Sequence, residues 1–289
     1  MEYTFTKQVR DDDSLRQSFM DLAAQTFGLS FQTWYRAGYW SDSYLPYSFV
    51  CQGKIVANAS VNLIEFSWHG KRRPYLQIGT VMTDPAFRGQ GLSRRLIEKI
   101  LTDWKGRCSA VYLFANNTVL DFYPKFGFVP QREYEYSLPL SPVPGDFHPL
   151  SVDQKRDLQI LKSCYQNSNP YSAFTMEENL GLLMFYCTDF MKHLVSYSPS
   201  LDLVCIGEQE GDTFYCYELL GSPRCSLEEA LHLAAPSQAR RAVLGFTPRE
   251  AAGGSFSPVS QEDLTLFLLK GSENLFAEEN LLFPALSHA

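Results

Sequence analysis

The chain has 289 residues, of which 45% are apolar, including 21 Phe, 16 Tyr and 4 Trp. That length accommodates two domains and that apolar content builds a large core, so a disordered chain is excluded. The 25 basic residues against 32 acidic ones leave a net charge of -7, which disfavours nucleic acid and anionic membranes as partners because both require a positive field.

Seven cysteines, an odd number with no C-x-x-C pair, form neither a disulfide framework nor a thiolate zinc site. Cys205 and Cys216 can face each other across a hairpin but read more simply as small apolar core residues. The five histidines are scattered, with no H-E-x-x-H, so no metal is expected. No apolar run has the length of a membrane span, and residues 1–13 are polar and charged rather than leader-like. These features predict a cytoplasmic protein that needs neither metal nor membrane.

Residues 3–9 alternate, as a short edge strand does. Asp13 or Ser14 is the expected cap of an amphipathic helix with apolar positions Leu15, Phe19, Leu22, Ala23 and Phe27. Residues 31–47 hold Trp34, Tyr35, Tyr39, Trp40, Tyr44 and Tyr47 without a clean period, which indicates a short helix and a ring-lined loop. Strands at 47–51, 55–68 and 74–83 turn at Gln52-Gly53 and His69-Gly70, an antiparallel meander. Within 55–68 the apolar phase switches. Ile55, Ala57, Ala59, Val61 and Leu63 are odd, whereas Ile64, Phe66 and Trp68 are even, the slip a β-bulge produces.

A helix follows, with Leu92, Leu96, Ile97, Ile100, Leu101 and Trp104 on one face and Arg94, Arg95, Glu98 and Lys99 mostly on the other. Then come a strand at 110–115, a short helix at 120–125 and a strand at 128–140. The order β-α-α-β-β-β-α-β-α-β predicts an α/β (α+β) fold, a mixed, mostly antiparallel sheet flanked by helices.

Ser141-Pro142-Val143-Pro144-Gly145-Asp146 reads as a linker between domains 1–140 and 147–289. The second half predicts helices at 152–165 and 176–194. A hairpin of strands 201–208 and 213–220 follows, turning at Glu210-Gly211-Asp212. Ser226-Leu227-Glu228-Glu229 is a capping box opening a short helix, with strands at 241–246 and 264–270 beyond it. This hairpin-helix-strand order echoes the first half.

The chemistry centres on Arg88-Gly89-Gln90-Gly91-Leu92-Ser93, where a strand gives way to a helix. Such a place combines unpaired backbone N–H groups with the positive end of the helix dipole. Glycines at 89 and 91 let an anion approach the backbone closely. Arg88, Arg94, Arg95 and Lys99 add positive charge around the same helix start, so a pyrophosphate is the expected guest. The spacing is neither G-x-G-x-x-G nor a P-loop, and taken alone it also fits a plain glycine turn into a surface helix.

Further along lies Asn116-Asn117-Thr118-Val119-Leu120-Asp121-Phe122-Tyr123-Pro124-Lys125-Phe126-Gly127-Phe128. With both segments in view, residues 1–140 resemble the GNAT superfamily of acyl-CoA-dependent N-acyltransferases. The family's phosphate loop, [QR]-x-x-G-x-[GA], is matched by Arg88 and Gly91, with Ser93 in place of Gly or Ala. Its second motif, N-x-x-A-x-x-[FL]-Y-x-K-x-G-F, is matched by Asn116, Phe122, Tyr123, Lys125, Gly127 and Phe128, with Val119 in place of the small residue. Ser93 is small enough to leave the phosphate approach intact. Pro124 removes one helical hydrogen bond and puts the regularity of the short helix in question, not the place of Tyr123.

The resemblance implies acetyl-CoA as co-substrate, no metal, and direct attack of an amine on the thioester. It assigns Val81, Met82 and Thr83 to the pantetheine arm and Gly89, Gln90, Gly91, Leu92, Ser93 and Arg94, beside Arg88, to the pyrophosphate. Asn116 would reach the cofactor's arm and Tyr123 would serve the departing thiolate. For the base it leaves Glu65, Asp84 or water. It puts the acceptor pocket in the aromatic segment 34–47, where Asp42 adds a carboxylate suited to a hydrophobic or aromatic amine.

In the second half, Gly221-Ser222-Pro223-Arg224-Cys225 occupies the place of the phosphate loop, but proline removes a donor and the second glycine is missing. The reading is a degenerate GNAT-like domain that shapes the pocket. The pair resembles a shortened member of the enhanced-intracellular-survival group of acetyltransferases, whose terminal carboxylate serves as base; the corresponding residue is Ala289. The expected partner is a small-molecule or peptide amine, without nucleic acid or membrane, and homo-oligomerisation is left open. The alternatives are a non-catalytic acyl-CoA-binding regulator, which has no need of Tyr123, and an aminoacyl-tRNA-dependent transferase, which needs a basic groove.

Overall fold

A computed structural model describes residues 2–260 and 263–288. The first half contains β1 (Thr4–Thr6), α1 (Asp13–Phe27), α2 (Gln32–Arg36), β2 (Tyr44–Cys51), β3 (Lys54–Trp68), β4 (Lys71–Thr83), α3 (Leu92–Asp103), β5 (Ala110–Ala115), β6 (Phe128–Gln131) and β7 (Tyr134–Pro139). The second contains β8 (His148–Pro149), α4 (Lys155–Tyr165), β9 (Phe174–Glu177), α5 (Leu180–Cys187), β10 (Val195–Ser198), β11 (Leu203–Glu210), β12 (Thr213–Gly221), α6 (Leu227–Ala234), β13 (Arg241–Leu244), β14 (Ser255–Pro258) and β15 (Thr265–Leu269). Helix α1 is capped by Asp12 rather than by Asp13 or Ser14: its Oδ1 accepts the Leu15 N–H at 2.9 Å.

The strands form two sheets on one plan. The first runs β1-β2-β3-β4-β5-β15-β6 and the second β8-β10-β11-β12-β13-β7-β14, read from the matching edge. In each, an antiparallel hairpin leads through a helix to a strand parallel to its second arm: β4 to β5 in one, β12 to β13 in the other. The two bodies exchange a strand. β15, late in the chain, lies between β5 and β6, whereas β7, early in the chain, lies between β13 and β14. The expected linker at 141–146 therefore joins β7 to β8 within the second sheet, and the crossing between sheets lies earlier, between β6 and β7.

This exchange corrects the reading of 128–140 as one strand. The chain leaves the first sheet after Gln131 and enters the second at Tyr134. Period-two alternation continues through both pieces, so nothing in the pattern marks the crossing. The expected helix at 176–194 is likewise two elements, with a third beginning just beyond it. Met176 lies in β9, paired with Phe66 of β3, Asn179 caps α5, and Val195 begins β10. Its apolar run reads as a helix or as a buried strand with equal ease, because both of its elements are buried.

The phase switch in β3 also has a different cause from the one expected. Pairing with β4 runs without interruption from Ser60 to Trp68. Instead, Ala57, Ala59 and Val61 face the core under α3, while Ile64 and Phe66 face the core shared with the second body. Different partners cover opposite faces of one long strand. The register shifts that do occur lie at Phe49/Val50 against β2 and at Asn58/Ser60 against β4.

Leu92, Leu96, Ile97 and Ile100 bury α3 against one face of the first sheet, each contributing about 1.5–3 kcal/mol. On the other face, Phe19, Phe31, Trp34 and Trp40 pack α1 and α2. The rest of that face is covered by the second body: Phe66 stacks on Phe174 with centroids 4.6 Å apart, and Tyr112 on Phe283 at 4.2 Å. Among the described residues no helix is long and apolar enough to cross a membrane.

Candidate functional site

The β4–β5 pairing that holds the first sheet together extends only from Tyr75↔Ala110 to Gln77↔Tyr112. Beyond Gln77 the strands part, and the β4 edge toward β5 is left without a strand partner. A bulge sits in the parted stretch. Thr80 takes φ +47, unusual for a β-branched residue and a strain of about 1–3 kcal/mol. Its carbonyl accepts from buried Asn58 Nδ2 at 2.9 Å, and its Oγ1 lies 2.7 Å from Tyr44 Oη. Asn58 also donates to Ser60 Oγ and accepts from Ser48 Oγ, so a satisfied buried network fixes the distortion.

A cleft of about 1120 Å³ opens at this split. Its wall includes Val81, Met82, Thr83, Arg88, Gly89, Gly91, Leu92, Ser93, Arg94, Asn116 and Tyr123, which brings together all the expected site residues but one. Gln90 does not line it; its Oε1 accepts from Tyr3 Oη instead.

The start of α3 is open. Its N-cap is Gly91, at φ +74, with no side-chain cap and no acidic residue in the first turn. A left-handed N-cap without a side chain leaves the first N–H groups facing the cleft, where an anion satisfies them. Of the four expected cations, Arg88 and Arg94 line the cleft. Arg95 lies over the Phe49 ring and Lys99 pairs with Asp103 at 3.5 Å. Ser93 Oγ sits 2.7 Å from Thr83 Oγ1, joining the helix start to the end of β4. Asn116 caps a 3₁₀ turn, Oδ1 accepting from Thr118 N at 3.1 Å.

Tyr123 begins another 3₁₀ turn, Tyr123–Phe126, with Pro124 inside it. The helix expected at 120–125 is therefore two 3₁₀ pieces, at Asn117–Val119 and Tyr123–Phe126. Tyr123 is 5% exposed, and burial pushes its phenol up to about 12, so it stays protonated at neutral pH. A phenol that holds its proton this firmly is a hydrogen-bond donor at neutral pH.

The expected bases and pocket carboxylate lie elsewhere. Asp84 Oδ1 accepts the Ala86 N–H at 2.9 Å, and neither Asp84 nor Glu65 lines the cleft. Glu65 is raised by burial near Arg72 and Glu178, at the far end of β3. Asp42 is exposed and pairs with Arg10 at 2.7 Å. Of the expected rings, Trp34 and Tyr44 reach the cleft, while Tyr35, Tyr39, Trp40 and Tyr47 pack in the body. Ala289 lies outside the described residues.

The sequence reading passed over the part of the wall that comes from far along the chain. Asn179, Leu182, Phe185, Tyr186 and Phe190, from α5 and its flanks, and His288 complete the cleft. Trp34 Nε1 donates to the Gly181 carbonyl at 2.6 Å, joining α2 to α5. At Gly181 a Cβ would lie 2.6 Å from the Tyr39 carbonyl oxygen, so only glycine permits that approach. A signal was present for Asn58 and Asn62: with Ser60 they alternate polar through an otherwise apolar strand.

The corresponding place in the second body is closed. Ser226 caps α6 with a complete capping box, and Glu228 and Glu229 stand in its first turn. The Ala285 N–H donates to the Gly245 carbonyl at 2.7 Å, so the chain's own late segment lies where β13 ends.

Residues 10–130 match the family model described as an acetyltransferase (GNAT) domain. The first body has the GNAT fold. Solved structures extend the likeness in fold over both bodies. A probable N-acyltransferase from Enterococcus faecalis V583, at 14% identity and a TM-score of 0.60, aligns with 93% of this chain and 73% of its own. A GCN5-related N-acetyltransferase from Kribbella flavida gives 16%, 0.57, 92% and 70% in the same order. Eis1 from Mycobacterium abscessus gives 16%, 0.55, 92% and 73%. The family uses acetyl-CoA, and the open helix start, two cleft-lining arginines and unpaired β4 edge of this body fit that co-substrate.

Proposed function

We propose that the protein transfers an acetyl group from acetyl-CoA to a primary amine by direct attack. The observation that carries this reading is the meeting, in one cleft, of the uncapped start of α3 with the buried phenol of Tyr123. The amides of Gly89 to Arg94 hold the pyrophosphate, helped by Arg88 and Arg94. The free edge of β4 at Val81 to Thr83 binds the pantetheine arm as an added strand. This places the thioester at the split, beside the bulge at Thr80.

The amine lone pair then forms the C–N bond as the C–S bond breaks. The electron pair leaves with sulfur, and Tyr123 Oη donates a hydrogen bond to it. Over the whole reaction one proton moves from the amine nitrogen to the thiol, by water or through a cleft-lining group. The second body contributes Asn179, Leu182, Phe185 and Tyr186 to the acceptor side and binds no cofactor itself. A regulator that only binds acyl-CoA would gain nothing from the phenol.

Thiol release and acetyl-amine formation, followed together, test the reading. Tyr123→Phe is expected to lower kcat about 100-fold while leaving the affinity for acetyl-CoA within about twofold. Undiminished kcat at saturation would overturn Tyr123's role. Binding of CoA without turnover of any amine by the wild type would favour the regulator.

A further inference from the structure

The acceptor side of the cleft has a composition of its own. Phe27 and Phe190 line it and are 43% and 45% exposed, so two large rings of its wall are open to a ligand. Deeper in, Leu29, Leu182 and Phe185 continue the apolar wall. Among the described residues, no Asp, Glu or Lys contributes to the lining, whose only formal charges are Arg88 and Arg94 at the phosphate end.

Two polar groups interrupt this surface without partners of their own. Asn62 is 2% exposed and its Nδ2 is buried with no hydrogen bond, as is His288 Nε2. Asn62 pairs with Gln77 and Gln77 with Tyr112, and Phe114 follows two residues on, so all four share one sheet face. The His288 ring stacks on Phe114 with centroids 4.0 Å apart, and its carbonyl accepts from Tyr186 Oη at 2.6 Å. The imidazole is thus held over the same face. Native proteins rarely leave buried polar groups unsatisfied, and a ligand satisfies both.

We propose that the acceptor is an amine uncharged at working pH on an apolar, ring-bearing body, an arylamine in chemical class, its rings between the end of α1 and α5 and its nitrogen at Asn62 and His288. This rests on the acetyl-transfer reading and narrows it. An ammonium there would lose its water and find no counter-charge in the described wall, with only the like-charged Arg88 and Arg94 in the lining. Burial also lowers the His288 imidazole to about 4, so it is neutral at pH 7 and presents an uncharged ring nitrogen. A neutral arylamine needs no proton removed before its nitrogen attacks the thioester.

The test measures thiol release from acetyl-CoA at pH 7.5, comparing substituted anilines with spermidine and an aminoglycoside. The proposal expects kcat/KM for the best aniline to exceed that of either polycation by about 100-fold. Asn62→Asp, which puts a carboxylate beside the acceptor nitrogen, is expected to lower the aniline rate about tenfold and raise the polycation rate. CoA binding within about twofold of wild type reports that this variant is folded. Faster turnover of polycations by the wild type overturns the proposal and leaves acetyl transfer standing. An Asn62→Asp protein that binds CoA yet keeps the wild-type preference also overturns it. No turnover of any amine, with CoA still bound, overturns acetyl transfer and this proposal with it.

Discussion

Helices α3 and α6 begin at equivalent points of two sheets built on one plan, and only one start can receive an anion. At α3 the cap is Gly91, the first turn has no acid, and Arg94 faces the cleft. At α6 the cap is Ser226, its hydroxyl holding the Glu229 N–H at 3.2 Å while Glu229 Oε2 accepts the Ser226 N–H at 2.8 Å. The same backbone donors exist in both. In α6 they are spent on the helix's own side chains, and two carboxylates oppose any phosphate. A good helix cap and an anion site are therefore competing uses of one structure, and in α6 the cap has taken the donors that α3 leaves open.

The largest expected effect concerns what the two bodies share. Because β15 completes the first sheet and β7 the second, residues 1–140 expressed alone lack a central strand and leave β7 without its sheet. That fragment is expected to be insoluble or unfolded, while the whole chain unfolds in a single transition by tryptophan fluorescence and far-ultraviolet dichroism. A soluble, folded 1–140 would show that the exchange is dispensable.

The next contrast is between the helix starts. Gly91→Val forces a β-branched residue to φ +74 and puts a side chain beside the phosphate amides. It should raise KM for acetyl-CoA at least about tenfold. Ser226→Ala in α6 should leave that KM unchanged and cost about 1 kcal/mol of stability in urea. If Ser226→Ala alters the KM instead, the assignment of roles is reversed.

The smallest effect concerns the crossing itself. Glu133, between β6 and β7, is raised to about 8 by burial and accepts the Phe283 N–H at 2.8 Å. A carboxyl whose folded value lies above its unfolded one binds its proton more tightly when folded. Its contribution is complete below about pH 4.5 and is lost as pH rises toward 8. Glu133→Gln, a neutral mimic, should have a Tm higher than wild type by a few degrees at pH 8 and nearly equal to it at pH 5. A Tm difference that is the same at both pH values would contradict this.

The first body was legible because its signals are local. Gly89 and Gly91 at a strand-to-helix junction, the alternation of β2 to β4 and the amphipathic face of α3 all act within a few residues. The capped start of α6 was legible for the same reason, in the Ser226–Glu229 box. What stayed hidden depends on distant pairing. Nothing in 128–140 says that half of it changes sheet, and nothing near His288 says that it stacks on Phe114. Nor does anything mark Met176 as a strand residue, since β9 exists only because β3 offers it an edge. The cleft wall across from the start of α3 is made mostly of such distant pieces, so one side of the cleft could be read from sequence and the other could not.

The most direct test of the central claim is calorimetric titration of coenzyme A into the wild type, Gly91→Val and Ser226→Ala. One site per chain is predicted, lost or strongly weakened in Gly91→Val and unchanged in Ser226→Ala. Two sites per chain, or a single site that survives Gly91→Val and disappears with Ser226→Ala, would contradict the division of roles between the two bodies.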